Sequence, residues 1–222
     1  MPSAHTVVEG VELELMPERA LFLPAARALV VADIHIGKSE SYRRFGVPSS
    51  DGIDEESLDR LGRAALRAGA KVIVVVGGLA PHAAGIGEAE MERFAAFRER
   101  ITLPIRLVEG NHDAGVHALP PEWCIDRVGA EFSLAGVRFV HEPPASAGDG
   151  LTVSGHLHPM MSIARGARRV EVPAFVVDAP RRTLVLPAFS KFSRGVRFDP
   201  REGHAVFAIA EGAVVGPLGG SA

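Results

Sequence analysis

The chain has 222 residues, of which 47% are hydrophobic and 23% are charged, and its net charge is −3. This balance fits one globular domain over residues 1–222 and excludes a disordered chain. The acidic net charge gives no support for tight binding to duplex DNA, although it still allows a local basic stripe.

Neither a secretory signal nor a membrane span is expected. The N-terminus lacks a basic start followed by an apolar run, and no apolar stretch approaches the roughly 20 residues that cross a bilayer. Cys124 is the single cysteine, which precludes an intrachain disulfide and fits a reducing compartment. We therefore expect a cytoplasmic protein in which Cys124 is a small core residue.

The first half of the chain alternates between strand-like and helix-like segments, which is the pattern of an α/β fold. The runs Ala28–Ala32 and Val72–Val76 are continuously apolar, as is typical of central strands buried on both faces. The other segments predicted in this half are strands at Val11–Met16, Ala20–Leu23 and Ile105–Val108, and helices at Lys38–Phe45, Ile53–Ala68 and Glu88–Arg100.

The helix predicted over Ile53–Ala68 has Asp51 and Asp54 as candidate caps at its N-terminus. Its arginines are expected to form a solvated face: Arg60, Arg63 and Arg67.

The second half has strand candidates without long helices between them. They lie at Val137–Val140, Leu151–Val153, Val170–Val177, Thr183–Leu186 and Ala205–Ala210, and the tail GAVVGPLGG predicts one more short strand. We expect these strands to form a second sheet packed on the first, within the same domain.

Histidines and carboxylates follow several of these strands. Asp33 and His35 lie two apart after the first buried strand, and on an extended backbone both would point to one side. His156 and His158 have the same spacing after another strand, and His141 ends a third. Each motif alone also fits an ordinary strand end or a structural histidine. Together they favour a metal such as Mn²⁺, Zn²⁺ or Fe²⁺.

The segment Gly110–Asp113 reads Gly-Asn-His-Asp and follows the third buried strand. Asn111 can offer its carbonyl oxygen to a metal, and His112 can donate a proton to a phosphoryl oxygen or leaving group. Asp113 would then orient His112. The alternative is an Asx-type turn, because glycine and asparagine favour turns.

The ordered set D-x-H, G-N-H-D, H and G-H-x-H resembles that of the calcineurin-like metallophosphoesterases. The segments VVADIHIGKSESYRRFGVP, VEGNHD, FVHEPP, SGHLHP and LVLPAFSKFSRG look most like a compact bacterial branch, the DNA ligase-associated metallophosphoesterases. The resemblance covers most of the chain. It implies a single-domain α/β fold, a two-sheet β-sandwich flanked by helices, with two divalent metal ions at the strand ends.

The resemblance also implies a role for each site residue. The residues that would hold the first metal are Asp33, His35 and His158, and those for the second are Asn111, His141 and His156. His112 would be the catalytic histidine near the leaving group, with Asp113 as its partner. The implied chemistry is attack on phosphorus by a metal-activated water, with Mn²⁺ as the expected metal and Zn²⁺, Fe²⁺ or Mg²⁺ as alternatives.

One position departs from the family pattern. Gly78 stands where an aspartate that bridges the two metals is expected, and Pro81 replaces a histidine of the branch, with His82 adjacent. A bridging carboxylate offsets the repulsion between two dications, so we expect the second metal to bind more weakly here.

Three functional hypotheses follow. The first is an active phosphoesterase, with phosphodiesterase activity on a small or nucleotide-like substrate. The second is a degenerate, metal-poor member that binds phosphoesters, nucleic acid or a partner protein. The third is a nuclease, which would hold DNA with a local basic rim. The candidate rim residues, which equally fit a solvated surface, are Arg43, Arg44, Arg165, Arg168, Arg169, Arg181 and Arg182.

Overall fold

A computed structural model describes residues 2–44, 46, 52–80, 86–111, 113, 119–166, 168–191, 193 and 195–218. In this part of the chain two β-sheets and three α-helices account for most of the regular structure. The helices are α1 (Lys38–Arg44), α2 (Ile53–Ala68) and α3 (Glu88–Arg100). None of the described helices is long and apolar enough to cross a membrane.

The first sheet has its strands side by side in chain order. They are β1 (Ala4–Val8), β2 (Val11–Met16), β3 (Ala20–Leu23), β4 (Ala28–Val31), β5 (Val72–Val76), β6 (Ile105–Val108) and β7 (Ile125–Arg127). Strands β1 to β4 pair antiparallel, whereas β4 to β7 pair parallel. The parallel half therefore brings the carboxyl ends of β4, β5 and β6 to one edge.

The second sheet is built from the later strands. They are β8 (Glu131–Leu134), β9 (Val137–Val140), β10 (Thr152–Ser154), β11 (Pro159–Arg165), β12 (Arg168–Asp178), β13 (Thr183–Val185), β14 (Val196–Arg197), β15 (His204–Ala210) and β16 (Ala213–Leu218). Their order is β14-β11-β12-β13-β10-β9-β8, and β15 and β16 extend the sheet from β12. Parallel pairing of β9, β10 and β13 places the ends of β9 and β10 together.

The continuously apolar runs of β4 and β5 are buried on both faces, as predicted. Leu29 and Ile73 pack in the core that lies between the first sheet and the helices. Val30 and Val74 point the opposite way, into the core between the two sheets. The strict alternation follows from the two-residue period of a strand, so the first sheet lies between the helices and the second sheet.

The predicted sandwich of two mixed sheets flanked by helices is therefore confirmed. The bounds of β2, β3, β5, β6, β9, α2 and α3 agree with the predicted ones, and other ends shift by one or two residues. Five strands were not predicted, because they are short or carry polar residues: β1, β7, β8, β11 and β14.

The prediction that Cys124 is a core residue is wrong, because its thiol is exposed. A 3-10 turn over Pro121–Trp123 ends at Cys124, whose φ of 48° turns the chain. Trp123 takes the core position instead and stacks on Phe94 with ring centroids 4.2 Å apart.

The polar side of α2 is not a simple solvated face. Arg60 is only 6% exposed. Its Nη2 donates a 2.5 Å hydrogen bond to the carbonyl oxygen of Phe189, and its guanidinium carbon lies 4.4 Å from the centroid of that ring. Asp54 does not cap the helix, since its carboxylate accepts the Gly37 N–H at 3.1 Å. Asp51 lies outside the described residues.

Candidate metal centre

Four loops meet where strands of the two sheets end. Asp33 and His35 follow β4, Asn111 follows β6, His141 follows β9, and His156 with His158 follows β10. The structure thus brings together the six side chains that the sequence marked as metal ligands.

The backbone achieves this convergence differently from the extended geometry that we predicted. Asp33, His35, His156 and His158 have φ values of 58°, 55°, 68° and 47°, all in the left-handed region. In each triplet the first and third residues therefore adopt a conformation that is rare for residues other than glycine. Residues in this conformation cluster at functional sites. The prediction that the triplets continue the strands is wrong, although the side chains do meet.

The first ligand set consists of Asp33, His35 and His158, whose donor atoms all lie within 4.8 Å of one another. Asp33 Oδ1 lies 3.2 Å from His158 Nε2 and 3.8 Å from His35 Nε2. Its other oxygen, Oδ2, accepts the backbone N–H of His156 at 2.9 Å, which fixes the carboxylate plane. Two imidazoles and one carboxylate suit a divalent transition metal.

Burial alone would raise the pKa of the Asp33 carboxyl. The hydrogen bond and charge of His158, with the charges of His35 and His141, outweigh it, so the pKa of Asp33 is lowered. The carboxylate is therefore ionised at neutral pH and available as a ligand.

The second ligand set consists of Asn111, His141 and His156. His141 Nδ1 lies 3.0 Å from the carbonyl oxygen of Val76, which can only accept, so Nδ1 carries the proton. The lone pair of His141 Nε2 then faces Asn111 Oδ1 at 3.1 Å and His156 Nδ1 at 3.2 Å. When His156 Nδ1 carries no proton, its lone pair faces the same point, and the three atoms can hold a cation.

His141 lies in a slot that two glycines leave open. A Cβ atom at Gly77 would lie 2.2 Å from His141 Nδ1, and one at Gly110 would lie 2.6 Å from His141 Cδ2. No side chain larger than hydrogen fits at either position without moving the imidazole.

Gly78, the position at which the resemblance implies a bridging aspartate, lies beside the first ligand set. Its φ is 64°, and a Cβ atom there would lie 2.5 Å from Asp33 Oδ1 and 3.2 Å from His35 Nε2. A Cβ atom at Gly77 would meet His141 of the second set, and one at Gly78 would meet Asp33 of the first, so the two glycines border both sets. The second set has only neutral ligands, and Gly78 supplies no carboxylate to share with it.

Asp113 is buried and joins the loops after β5 and β6. Its carboxylate accepts backbone N–H groups from Gly78 at 2.7 Å, Leu79 at 2.9 Å and Gly110 at 2.9 Å. The described contacts therefore make Asp113 a residue that positions the backbone of both loops. Its predicted partner His112 lies outside the described residues, as do Pro81 and His82.

Sequence reasoning missed two residues next to the first ligand set. Ser193 Oγ lies 2.8 Å from His35 Nδ1, and Lys38 Nζ donates to the same Oγ at 3.4 Å. Burial lowers the pKa of Lys38, while the charge of Asp33 opposes this effect. Both residues lie in the segments on which the family resemblance rests, which was the only available signal.

A cavity of about 630 Å³ opens beside His156 and Leu157 and extends over the second sheet. Its far wall carries Phe198 and His204, whose ring centroids are 5.1 Å apart. Arg181 also lines the cavity and is paired with Asp178 at 2.6 Å. A bound molecule could thus reach from the ligand sets into a partly aromatic space.

Comparisons with known proteins bear on the family and the fold. The family model described as calcineurin-like phosphoesterase matches residues 26–205. The crystal structure of the nuclease MPE from Pseudomonas putida aligns with a TM-score of 0.80 and 28% identity, over 93% of this chain and 96% of that one. A Vps29 double mutant from Entamoeba histolytica aligns with a TM-score of 0.37 and 13% identity, over 85% of this chain and 95% of that one.

No curated protein sequence matches the chain. The match to the family model spans most of its length. The chain belongs to the calcineurin-like phosphoesterase family, which implies divalent metal ions, and Asp33, His35 and His158 form a candidate group to hold one.

Proposed function

We propose that the chain is a metal-dependent phosphodiesterase that hydrolyses a nucleotide or nucleic-acid substrate. The observation that carries this proposal is the meeting of two ligand sets at the edge where β4, β6, β9 and β10 end. Such an edge is where open α/β sheets bind ligands. Family membership supports the hydrolysis of phosphoesters.

The ligand sets differ in charge, so we propose that they differ in affinity. Asp33, His35 and His158 include one carboxylate, whereas Asn111, His141 and His156 include none. A divalent ion at either set supplies Lewis-acid stabilisation of phosphoryl oxygens. We propose that the first set holds Mn²⁺ tightly and that the second holds it weakly because Gly78 offers no bridge.

The remaining roles belong to residues around the phosphate. Lys38 places an ammonium next to the first set, where it would balance the charge of a phosphoryl group. We propose His112 as the proton donor to the leaving group. Asp113 would act through the backbone, by keeping the loops that carry Gly78 and Asn111 in register.

The proposed substrate is a diester because the site has room for a second ester group. The cavity beside His156 would take the group beyond the scissile phosphate, with Phe198 and His204 against a base or sugar. The structurally similar Pseudomonas putida protein is a nuclease, which favours DNA or nucleotides as substrates and a place in the DNA ligase-associated branch. Among the arginines of the expected basic rim, Arg181 lines this cavity. Arg182 instead forms an ion pair with Glu9.

Gly78 favours a second candidate function. A chain that holds a single metal ion weakly would bind phosphoesters or nucleic acid and hydrolyse them slowly or not at all. Retention of all six ligand-type side chains is the reason that we place this alternative second.

Hydrolysis of bis(p-nitrophenyl) phosphate and of single-stranded DNA with added Mn²⁺ tests the proposal. We expect turnover that a chelator abolishes and that Asp33→Asn and His158→Ala each reduce at least about a hundredfold. The matched control is His5→Ala, an exposed histidine on β1, which should leave turnover unchanged. DNA binding without metal-dependent hydrolysis would favour the second candidate.

A further inference from the structure

A second cavity, of about 560 Å³, lies outside the metal centre and has an unusual charge balance. Helix α2, the turn between β2 and β3, and the chain after Ser190 form its walls. Its basic lining residues are Arg19, Arg60, Arg63, Arg67 and Lys191. Among the described residues, the acidic ones that line it are Glu18 and Glu56, so positive charge is in excess.

The two carboxylates are already engaged. Glu56 lies 2.6 Å from Arg60 Nη1 and 3.0 Å from Lys191 Nζ, so it is shared by two cations. Glu18 lies 2.8 Å from Arg67 Nη2. Among the described residues, neither carboxylate forms an ion pair with Arg19 or with the exposed Arg63.

The excess of positive charge affects the pKa of Arg19. Its Nη1 donates to the carbonyl oxygens of Ala188 at 3.2 Å and Ser190 at 2.9 Å, and no carboxylate of the described chain forms an ion pair with it. Burial and the charge of Arg60 lower the pKa of Arg19 to about 10, although Glu56 opposes the shift. A further anion close to this partly buried cation would favour its charged form.

We propose that this cavity binds a phosphate group, either free or in a nucleic-acid backbone. Arginine presents a planar fork of N–H donors that matches phosphate oxygens, and such charge-assisted hydrogen bonds are strong. Arg60, Arg63 and Arg67 recur at three- and four-residue spacing, so they share one face of α2. The ligand would neutralise the charge that Glu18 and Glu56 leave unbalanced.

The cavity lies behind a loop that also touches the metal centre. The backbone N–H of Phe189 donates to Ala32 at 2.8 Å, and that of Ser190 donates to Asp33 at 3.1 Å. Arg19 and Arg60 hold the carbonyl groups of the same loop from the cavity side. A phosphate there would therefore lie close to the proposed catalytic edge without contacting its ligands.

Calorimetric titration of inorganic phosphate into the full chain, kept metal-free with a chelator, tests the proposal without any hydrolysis. We expect one phosphate per chain and a dissociation constant about tenfold larger for Arg63→Gln. The matched control is Arg138→Gln, a half-buried arginine on β9 that pairs with Glu131, and it should change the constant less than about twofold. Absence of phosphate binding, or equal weakening by the two variants, would overturn the proposal.

A second titration identifies the source of the phosphate. If the site takes a nucleic-acid backbone, a short single-stranded oligonucleotide should compete with inorganic phosphate, and Arg63→Gln should weaken both. Binding of inorganic phosphate without competition would assign the site to free phosphate. Neither measurement involves turnover. An inactive protein can therefore still bind phosphate in this cavity, and an active one can lack this binding.

Discussion

The carboxylate of Asp113 accepts a 2.7 Å hydrogen bond from the backbone N–H of Gly78, the residue that replaces the expected bridging aspartate. The same carboxylate accepts N–H groups of Leu79 and Gly110, so one side chain fixes two loops of the metal centre. The backbone at position 78 is therefore held in place by Asp113 and not by a side chain of its own.

Substitution of Asp113 by Ala should lower the free energy of unfolding by about 3–5 kcal/mol, because buried donors lose their partner. Asp113→Asn keeps one acceptor oxygen and should cost about half as much. Urea unfolding measures both changes. Asp126→Ala removes an exposed aspartate of β7 and serves as the control. A loss below about 0.5 kcal/mol for Asp113→Ala would show that the loops do not depend on this carboxylate.

Substitution of Gly78 separates backbone strain from the missing charge. A side chain at a φ of 64° costs about 1–2 kcal/mol, and its Cβ atom would also displace Asp33 Oδ1. Without metal, both Gly78→Ala and Gly78→Asp should therefore unfold at lower urea concentrations than the original chain. Saturating Mn²⁺ should stabilise only Gly78→Asp beyond the gain of the original chain. Equal gains for Ala and Asp would refute our account of the bridge.

Ser193 should act through His35. The 2.8 Å hydrogen bond between His35 Nδ1 and Ser193 Oγ keeps Nε2 turned toward Asp33, and partners of this kind typically support metal affinity by about tenfold or more. We expect Ser193→Ala to weaken Mn²⁺ binding about tenfold, as measured by competition with a metal indicator. Ser133→Ala, on the exposed side of β8, should bind Mn²⁺ like the original chain. Identical affinities for the two variants would exclude this role.

Asp54 should make stability depend on pH. Burial and the charge of Glu90 raise the pKa of Asp54 above its ordinary 3.8, against hydrogen bonds from Gly37 and Ser39 and the charge of Arg93. The folded state therefore holds this proton at pH values where the unfolded chain has lost it. Its contribution to stability is complete below pH 3.8 and is lost as the pH rises through the folded-state value.

The variant Asp54→Asn keeps an acceptor for Gly37 but cannot titrate. Other groups titrate in both proteins, so the difference between their unfolding free energies isolates Asp54. Relative to that of Asp54→Asn, the unfolding free energy of the original chain should be higher at pH 4 than at pH 7. A difference that stays constant over this range would mean that the pKa of Asp54 is not raised in the folded state.

Much of the fold and the site could be predicted because their signals are local. The apolar runs of β4 and β5 and the period of α2 depend on neighbouring residues alone, and Asp33, His35, His156 and His158 stand out by spacing. The left-handed backbone of these four residues could not be predicted, because contacts with distant loops impose it. The burial of Arg60 was missed for the same reason, since its partner Phe189 lies 129 residues away. The cytoplasmic location stays a prediction.

The most direct test of the account is the number of Mn²⁺ ions that the chain retains after metal loading and desalting, measured by elemental analysis. The charge difference between the ligand sets predicts one retained ion per chain, lost in Asp33→Asn, and a second ion only while Mn²⁺ is in excess. Retention of two ions would mean that another group bridges the metals in place of Gly78. Retention of one ion in Asp33→Asn would contradict the assignment of the tight site to Asp33, His35 and His158.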